Sequence, residues 1–544
     1  MNAIFGGAGV LVACTIAHGA ADGPGSAAIS GTVVDASGRA IRGARVALAP
    51  VGLFDPSGAR FVHVDSAADG TFRLAPIAGA DRYGITATAP DATAAWVADV
   101  RPGNSRLRLR LAGGGRHLSG RVIDREGRPR AGAEVRLARG LGDHGDVFLI
   151  ESGPDGRWSA MVPDGDYSAS ALHAGDATPQ RALPAGRDSA DLVVDSIWPS
   201  GPPPLAVVDW LRKHEMPFTT AEPGHGFADL ALLRPIVEGA RVVGLGEATH
   251  GTHEIFQLKH RVLEYLVSEM GFTAFAIEIS LPEAFAIDDY VLSGRGDPEK
   301  LLAGQFVAVW QTEELCDLVR WMRAWNRTHA RKVRFHGLDM RAGVRAAKDT
   351  LAYLARVDRA ALSLPAALAL APMADPVTSP EILRRPKPEL AARAREVVAR
   401  FDSLRAAYVA RSSDESWWRS AMEARVLAQF LEWRAADDMA GRVRVREQSM
   451  AENVIRILEH EGPEARAVVW AHNAHIAGDP EGEPRMMGVH LRAHLGAAYR
   501  AFGSALERGA YQAIDASGHL LREFTLAPAA PGSLEDALAA AGRP

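Results

Sequence analysis

The chain has 544 residues, of which 47% are hydrophobic and 23% are charged, so most of it is expected to fold into globular domains. At about 100 to 200 residues per domain, this length predicts about two to four domains. The 61 Lys and Arg against 66 Asp and Glu give a net charge of −5, which argues against nucleic acid or anionic lipid as a partner. Two cysteines, Cys14 and Cys316, exclude a disulfide framework and a thiolate zinc site, so any metal would need histidine and carboxylate ligands.

The chain begins with a short apolar segment. Residues 3–14 (AIFGGAGVLVAC) are too short to span a bilayer but suit the core of a signal peptide. Residues 1–27 are therefore predicted to be a signal peptide, or a lipoprotein leader that carries its lipid on Cys14. We expect an exported protein that is periplasmic, secreted or lipid-anchored. The first Lys or Arg is Arg39, so the usual basic start is missing, and a frayed terminal segment is the alternative.

The next part of the chain contains an internal duplication. Residues 29–50 (ISGTVVDASGRAIRGARVALAP) align with residues 118–139 (LSGRVIDREGRPRAGAEVRLAR) at a constant offset of 89, with 11 identities in 22 positions. In each copy an alternating strand leads into an Asp-x-x-Gly turn, where glycine supplies a positive φ. An Asp-Gly pair at 69–70 and at 155–156 indicates a later hairpin in each copy. The duplication predicts two small β-sandwiches of the same design.

Both copies resemble the carboxypeptidase regulatory-like (transthyretin-like) domain, which opens with the pattern SGxVxDxxGxPxxGAxV. The second copy keeps the proline of this pattern as Pro129, and the first has Ala40. We therefore expect all-β sandwich modules at residues 28–113 and 116–196, followed by a proline-rich linker at 197–206. The resemblance implies a spacer or a surface-binding module, and neither copy contains a His, Glu and Asp cluster that suggests catalysis.

From residue 207 to 544, short apolar strands alternate with amphipathic helices, which is typical of an α/β domain with a mostly parallel sheet flanked by helices. Four predicted strands end in residues that can carry chemistry: 240–247 ends at Glu247, 273–278 at Glu278, 332–339 at Asp339 and 467–472 at His472. Ligands of open parallel sheets bind outside the carboxyl ends of the strands, so we expect these four ends to form one crevice. The turns that follow the first and last of these strands add His250 and His475 to it.

The helix predicted after His250 carries a lysine within its apolar arc. A lysine that faces a core is costly unless it is paired, so Lys259 is expected to pair with Glu247 or Glu278. The alternative is a lysine that extends from the edge of the helix to solvent. In the same way, Glu278 could serve only as an ion-pair partner, and Glu247 with His250 could cap the helix.

Structural roles also remain open for the other polar residues at the strand ends. His472 and His475 could be hydrogen-bonded core histidines, although their i and i+3 spacing after a strand suits a shared pocket. Asp339 precedes a predicted helix and suits an N-terminal cap as well as a site.

From about residue 207 to at least 504, the chain resembles the erythromycin esterase family. The motifs that carry the resemblance are 246–254 (GEATHGTHE), 258–261 (LKHR), 269–272 (EMGF), 276–278 (AIE), 337–340 (GLDM), Arg446 with 450–453 (MAEN), and 470–475 (WAHNAH). The resemblance implies hydrolysis of a macrolactone ester without metal or other cofactor, in which the histidine of the Gly-Glu-x-x-His motif is the general base. His250 would then deprotonate water, and Glu247 would orient that water or polarise the imidazole. Some family members have an arginine where this chain has Lys259, which leaves the stabilisation of the oxyanion open.

The residue inventory fits this chemistry. The C-terminal domain has no Gly-x-Ser-x-Gly elbow, so the usual signature of a serine acyl-enzyme is missing. A histidine held by a glutamate can take a proton from water near neutral pH and return it to the leaving alcohol. Lys259, His472 or His475 could stabilise the tetrahedral oxyanion.

Two other functions fit the same residues. A metal-dependent hydrolase could use a His/carboxylate site made from His250, His472, His475, Glu247 and Glu278. Alternatively, the chain could be a surface-binding protein whose α/β domain is catalytically inactive.

A helical insertion is predicted between residues 341 and 446, where long Ala- and Arg-rich helices interrupt the alternation. Its aromatic residues Trp417 and Trp418 are predicted, with Asp339 and Arg446, to bind substrate, and packing between helices is the alternative. The expected partner is a small-molecule ester or lactone, including macrolides, and any membrane contact would be through a lipid on Cys14. Export and the added β modules are unlike a dedicated cytoplasmic resistance enzyme, so the native substrate could be another ester or lactone.

Overall fold

A computed structural model describes residues 2–6, 9–14, 28–50, 62–76, 83–124, 126–139, 146–173, 176–178, 181–194, 202–305, 308–375, 388–436, 439–478, 485–514, 521–526, 529 and 532–542. Residues 15–27 of the predicted leader and residues 197–201 of the predicted linker lie outside the described residues. The described leader residues 2–6 and 9–14 form strands. The chain forms two compact units: Met1–Val12 with Met216–Ala505, and Ala13–Glu215 with Leu506–Pro544. The domain boundaries inferred from the sequence stay predictions.

The strands are β1 Asn2–Gly6, β2 Gly9–Cys14, β3 Ile29–Val34, β4 Arg45–Pro50, β5 Val62–Asp65, β6 Thr71–Leu74, β7 Tyr83–Ala89, β8 Ala92–Val100, β9 Leu107–Arg110, β10 Arg116–Ile123, β11 Glu134–Arg139, β12 Asp146–Glu151, β13 Arg157–Val162, β14 Tyr167–His173, β15 Asp176–Ala177, β16 Arg181–Leu183, β17 Leu192–Val193, β18 Met216–Pro217, β19 Val242–Glu247, β20 Ala274–Ser280, β21 Arg334–Asp339, β22 Ala467–His472, β23 Tyr499–Leu506, β24 Gly509–Ile514 and β25 Leu521–Leu526.

The α-helices are α1 Leu205–His214, α2 Arg234–Val237, α3 His253–Met270, α4 Leu281–Ser293, α5 Pro298–Ala303, α6 Glu313–Thr328, α7 Gly343–Val357, α8 Pro365–Leu370, α9 Pro388–Ser403, α10 Arg405–Ala410, α11 Asp414–Ala435, α12 Met439–Glu461, α13 Asn473–Ile476, α14 Met487–Leu495 and α15 Leu534–Ala541. Short 3-10 helices lie at Leu230–Leu233, Ala308–Trp310, Arg359–Ser363, Ala371–Ala374 and Gly496–Ala498. Within the described part of the chain, no helix is both long enough and apolar enough to cross a bilayer.

The duplicated segments form two sandwiches with the same strand order. The first has sheets β6-β3-β9 and β5-β4-β7-β8, and the second has β13-β10-β17 and β12-β11-β14-β15, with β16 also paired to β14. In each, the first strand pairs antiparallel with the hairpin strand and parallel with the last strand of the module. Each module buries its own core. The prediction of two β-sandwich modules is confirmed, and their resemblance to regulatory-like domains stays a prediction.

The duplicated Asp-x-x-Gly turns explain why this motif recurs. Oδ1 of Asp35 accepts a hydrogen bond from the backbone N–H of Arg39 at 2.9 Å, and Oδ1 of Asp124 accepts one from the N–H of Arg128 at 2.8 Å. Gly38 and Gly127 have φ values of 88° and 77°, a region that glycine enters without steric cost. The aspartate therefore closes each turn and the glycine permits its backbone conformation.

The unit made of Met1–Val12 and Met216–Ala505 contains most of an eight-stranded sheet. Its strand order is β18-β1-β2-β23-β19-β22-β20-β21. The four strands predicted to carry site residues lie side by side as β19, β22, β20 and β21, and they run parallel. Every residue of β19 and β20 is buried, as expected for strands covered on both faces. The prediction of an α/β domain with a mostly parallel sheet is confirmed.

Helices α7 to α12 lie between β21 and β22 in the chain and form the predicted helical insertion. They pack into one core, in which the rings of Tyr353 and Phe401 are 5.4 Å apart and those of Phe401 and Tyr408 are 5.5 Å apart. Helix α12 brings the insertion back to the sheet, and it carries Arg446 toward the strand ends.

Candidate active site

The register of the parallel sheet aligns the ends of the four strands. Glu247 of β19 lies opposite His472 of β22, and Ser280 of β20 lies opposite Asp339 of β21. Because β22 and β20 are neighbours, the polar ends of all four strands lie along one edge of the sheet. The sequence placed these residues at one edge, and the structure brings their side chains into two connected clusters.

The first cluster is built on Glu247, whose side chain is fully buried. Its Oε1 lies 2.6 Å from Nδ1 of His250, in the turn after β19. Its Oε2 accepts hydrogen bonds from Nζ of Lys259 at 3.1 Å and from Nε1 of Trp470 at 2.9 Å. Burial alone would raise the pKa of Glu247, but Lys259 and His250 outweigh it, so the pKa lies below its ordinary value. The carboxylate is therefore ionised and held by three donors.

His250 is oriented by this carboxylate. An ionised Glu247 can only accept a hydrogen bond, so Nδ1 of His250 carries the proton and Nε2 keeps its lone pair. Nε2 has no hydrogen-bond partner among the described residues, and the side chain is 31% exposed. Burial would lower the pKa of His250, but the hydrogen bond and charge of Glu247 raise it above its ordinary value. The geometry is that of a histidine base with an accessible nitrogen.

Lys259 of α3 supports Glu247 from inside the core. Its side chain is only 4% exposed, and Nζ lies 4.2 Å from the centroid of the Trp470 ring. Burial lowers the pKa of Lys259 to about 8, and the charge of Glu247 opposes that effect. The expected pairing of the lysine is thus found with Glu247, and the direct partners of Glu278 are other residues.

The second cluster is built on Glu278. Its Oε1 lies 2.6 Å from Nη2 of Arg446 and 3.2 Å from Nε2 of His475, and its Oε2 accepts the backbone N–H of His472 at 3.2 Å. Burial would raise the pKa of Glu278, but His475 and Arg446 hold it well below its ordinary value. Nδ1 of His475 lies 2.7 Å from Oε1 of the buried Glu447. Although burial opposes it, these two carboxylates raise the pKa of His475 to about 9, so the ring is cationic at neutral pH.

Asp339 belongs to the second cluster and does not cap the next helix. Its Oδ2 lies 2.8 Å from Nη2 of Arg446 and 2.7 Å from Nε of Arg341. Helix α7 begins after Ala342, which has no side-chain cap. Burial would raise the pKa of Asp339, but Arg341 and Arg446 lower it to about 2. Arg446 thus bridges two carboxylates, and those charges raise its pKa although burial opposes them.

His472 stands between the two clusters. Its Nδ1 accepts the backbone N–H of Ala474 at 3.2 Å, so the proton lies on Nε2, which is 3.1 Å from the carbonyl oxygen of Ala248. Burial and the nearby charge of His250 lower the pKa of His472. Its ring centroid is 5.6 Å from that of His250. The site therefore places a neutral histidine that donates through Nε2 beside a histidine whose Nε2 is free.

Three residues join the clusters that were not predicted as site residues: Trp310, Glu447 and Trp470, the last of which belongs to the 470–475 motif. The ring of Trp310 lies 5.3 Å from that of His250 in an edge-to-face arrangement. Trp470 lies two residues before the end of β22, where period-two alternation places it on the same face of the sheet as His472. Glu447 follows Arg446 directly, and this adjacency of opposite charges was its only signal. Trp310 comes from a 3-10 helix that gave no such signal.

The two tryptophans predicted to bind substrate have other contacts. Trp418 is buried and stacks on His460, with ring centroids 4.0 Å apart. Trp417 donates a hydrogen bond through Nε1 to the carbonyl oxygen of Phe401, and Arg405 lies over its ring. These contacts favour the alternative of helix packing, and a role in substrate binding stays a prediction.

The donor set was tested for a metal site. Within the described ranges, no three His, Cys, Asp or Glu side chains are arranged to hold one ion. Both oxygens of Glu247 and of Glu278 already accept hydrogen bonds or ion pairs from protein groups. Both ring nitrogens of His475 face carboxylates. Cationic side chains and N–H groups therefore already occupy the carboxylate oxygens that a metal ion would need, so these residues do not fit a metal site.

Comparison with known proteins adds an independent result. The sequence profile of the erythromycin esterase family matches residues 267–544, a segment that begins after His250 and Lys259. Erythromycin esterase type II of Escherichia coli is 24% identical over 367 residues, which cover 61% of this chain and 86% of that protein. The putative hydrolase YbfO of Bacillus subtilis is 32% identical over 114 residues, 21% of this chain and 25% of that protein.

Two solved structures are also similar to this chain. A Bacillus cereus protein has a TM-score of 0.54 and 28% identity, covering 61% of this chain and 82% of its own. A succinoglycan biosynthesis protein has a TM-score of 0.50 and 26% identity, covering 60% of this chain and 80% of its own. Each of the two structures covers about three fifths of this chain.

Proposed function

The chain belongs to the erythromycin esterase family of hydrolases, and from this membership and the geometry of the strand-end clusters we propose that it hydrolyses a carboxylic ester or lactone with water activated by His250. The observation that carries the proposal is the contact between Nδ1 of His250 and Oε1 of the buried Glu247, which leaves Nε2 free and accessible.

The reaction balances with a single base. Water attacks the ester carbonyl carbon while His250 takes one water proton on Nε2, so the carbonyl π electrons move to oxygen and form the tetrahedral oxyanion. When the oxyanion collapses, the bond to the leaving oxygen breaks, and the imidazolium of His250 returns the proton to it. The products are a carboxylic acid and an alcohol, or one hydroxy acid from a lactone. Glu247 stabilises the imidazolium formed in between, as an ionised carboxylate beside a catalytic histidine does.

His472 is the best placed donor for the oxyanion. Its Nε2–H points at the carbonyl oxygen of Ala248 and lies beside His250, so a small rotation would aim it at a substrate oxygen. Lys259 acts through Glu247, because its ammonium group is buried against that carboxylate and the Trp470 ring. The second cluster of Glu278, Arg446 and His475 fixes the end of β22, because Glu278 accepts a hydrogen bond from the backbone N–H of His472.

The test is the pair of variants His250→Ala and His253→Ala, assayed on esters after a screen for substrates. His253 begins α3 three residues after His250 and pairs with Glu314 outside the cluster, so it is a matched control. We expect His250→Ala to lower kcat about 10²- to 10⁴-fold, which is the usual contribution of a general base, and His253→Ala to keep its activity. Wild-type turnover by His250→Ala would refute the assignment.

The substrate is proposed at the level of its class. Erythromycin esterase type II is among the relatives, so macrolides belong in the first screen, with other lactones and simple esters beside them. Mass spectrometry detects lactone opening as the gain of one water. Failure to hydrolyse any member of a broad panel, in a protein with intact fold, would support a binding protein without activity.

We also propose that the protein is exported, because the apolar segment that ends at Cys14 suits the core of a signal peptide. Expression of the full chain and of a Cys14→Ser variant, followed by fractionation and palmitate labelling, tests this. Label on the wild type alone supports a lipid anchor, release of unlabelled shortened protein supports a secreted form, and full-length protein in the cytoplasm refutes export.

A further inference from the structure

A cavity lies beside the second cluster, at the start of α7. Its volume is about 990 Å³, at the upper end of the range for small-molecule sites. One wall carries the aromatic side chains of Phe430 and Trp433 from α11. Helix α7 starts in close contact with this wall, because a Cβ on Gly343 would lie 2.0 Å from Cδ1 of Phe430. The cavity therefore offers an apolar surface as well as space.

The rest of the lining is rich in cations. Four of its side chains are basic: Arg341, Arg345, Lys348 and Arg434. Arg341, Arg345 and Lys348 are spaced by four and three residues, so they follow one face of α7 from just before its first turn. A row of positive charges along a helix beside an aromatic wall suits an organic anion.

The lining has fewer acidic side chains than basic ones. The acidic ones are Glu283 and Asp349. Asp349 accepts a hydrogen bond from Nε of Arg345 at 3.3 Å. Lys348 is exposed and has no ion pair or hydrogen bond with any residue that the structure describes. Its positive charge is therefore available to a ligand.

The cavity is linked to the reaction site by one arginine. Arg341 lines the cavity, and its Nε lies 2.7 Å from Oδ2 of Asp339. The same oxygen lies 2.8 Å from Nη2 of Arg446, which also binds Glu278. The backbone N–H of Ala342, another lining residue, donates to Oγ of Ser280 at the end of β20. The cavity thus borders the second cluster, at the same edge of the sheet.

We infer that this cavity binds an anionic group of the substrate, so that the preferred esters or lactones carry a carboxylate or a similar oxyanion next to an apolar or aromatic part. Lys348 attracts the anion, and Phe430 and Trp433 pack against its organic part. The claim that the anion is part of a substrate rests on the proposed ester hydrolysis. The claim that the cavity binds an anion rests on the cavity alone.

Binding is tested first without any turnover. Isothermal titration calorimetry with 1-naphthoate and with the neutral 1-naphthylmethanol compares the same ring with and without a carboxylate. We expect naphthoate to bind at least tenfold more tightly, and Lys348→Glu to weaken it at least fivefold without changing the alcohol. Lys213→Glu is the control, since Lys213 is also an exposed helical lysine. Equal affinities of the two probes, or unchanged naphthoate binding in Lys348→Glu, would overturn the inference.

Kinetics then test whether the anion belongs to the substrate. The two esters are 4-nitrophenyl butyrate and mono-4-nitrophenyl glutarate, which differ by one carboxylate on the acyl chain. We expect Lys348→Glu to raise KM for the glutarate at least fivefold and to leave the butyrate unchanged. If Lys348→Glu weakens naphthoate binding but leaves KM for the glutarate unchanged, the cavity is not a substrate subsite. Because calorimetry needs no turnover, loss of the hydrolase proposal would leave the anion result intact.

Discussion

Oε1 of Glu447 lies 2.7 Å from Nδ1 of His475, and both side chains are largely buried. The other ring nitrogen of His475 faces Glu278 at 3.2 Å. An imidazole with a carboxylate on each side is stabilised in its cationic form, which is why the pKa of His475 is raised to about 9. His475 is therefore a fixed positive charge that holds Glu278, and through it the backbone of His472.

This pair predicts a pH dependence of stability. The folded pKa of His475, about 9, lies above the value of about 6.5 for an unfolded histidine. Its contribution to the free energy of unfolding is thus complete below about pH 6.5 and is lost as pH rises through about 9. We expect Glu447→Gln to lower stability at pH 6 by about 1–3 kcal/mol, the cost of a hydrogen bond to a charged group, and to reduce the loss between pH 6.5 and 9.

Urea denaturation at pH 6, 7.5 and 9 measures this effect. Glu452→Gln serves as the control, because Glu452 is exposed on the same helix. An equal pH dependence in wild type and Glu447→Gln would contradict a cationic His475 held by Glu447.

The pH dependence of turnover follows from His250. Glu247 raises the pKa of His250, and the base acts only when its ring is neutral. We expect kcat/KM to rise with pH through a pKa above the ordinary 6.5 of histidine. His472, whose pKa is lowered by burial, stays neutral over that range and adds no second step there. Stopped assays from pH 5 to 9 check the profile, and an activity independent of pH would argue against a histidine base.

Much of this arrangement could be predicted from the sequence. Buried strands that carry Glu247, Glu278 and His472 at or near their carboxyl ends define one edge of a parallel sheet, and a lysine on an apolar helix face requires a buried carboxylate. The choice between two carboxylates could not be predicted, because it depends on how far each side chain reaches within the packed sheet. Lys259 reaches Glu247, and Arg446, more than 160 residues after Glu278 in the chain, takes the other.

Aromatic residues were harder to assign than charged ones. Trp310 belongs to the site because a 3-10 helix packs beside His250, which only tertiary structure determines. Trp418 shares the apparent signal of an aromatic on an insertion helix, yet it stacks on His460. A hydrophobic ring fits a core and a pocket equally well, so sequence alone gives no direction for its side chain.

The buried pair of Lys259 and Glu247 predicts a separation of stability from activity. Removing one partner leaves an uncompensated buried charge, which typically costs about 3–5 kcal/mol. We expect Glu247→Gln to lose that much stability and most of its kcat, and the double variant Glu247→Gln with Lys259→Met to recover stability but not kcat. Thermal unfolding and steady-state kinetics measure the two effects. Recovery of kcat in the double variant would show that Glu247 contributes only to folding.

Metal dependence separates the proposed hydrolase from its nearest alternative. The oxygens of Glu247 and Glu278 already face His250, Lys259, Arg446 and His475, and a divalent cation among these groups would have to displace positive side chains. We expect purified protein to contain less than about 0.1 mole of zinc or manganese per mole of chain, on the reasoning that a true site is filled stoichiometrically. Activity should persist after dialysis against EDTA and 1,10-phenanthroline. Elemental analysis and assays with and without added metal decide the matter: loss of turnover on chelation, restored by one added ion per chain, would replace the histidine-base mechanism with a metal-bound one.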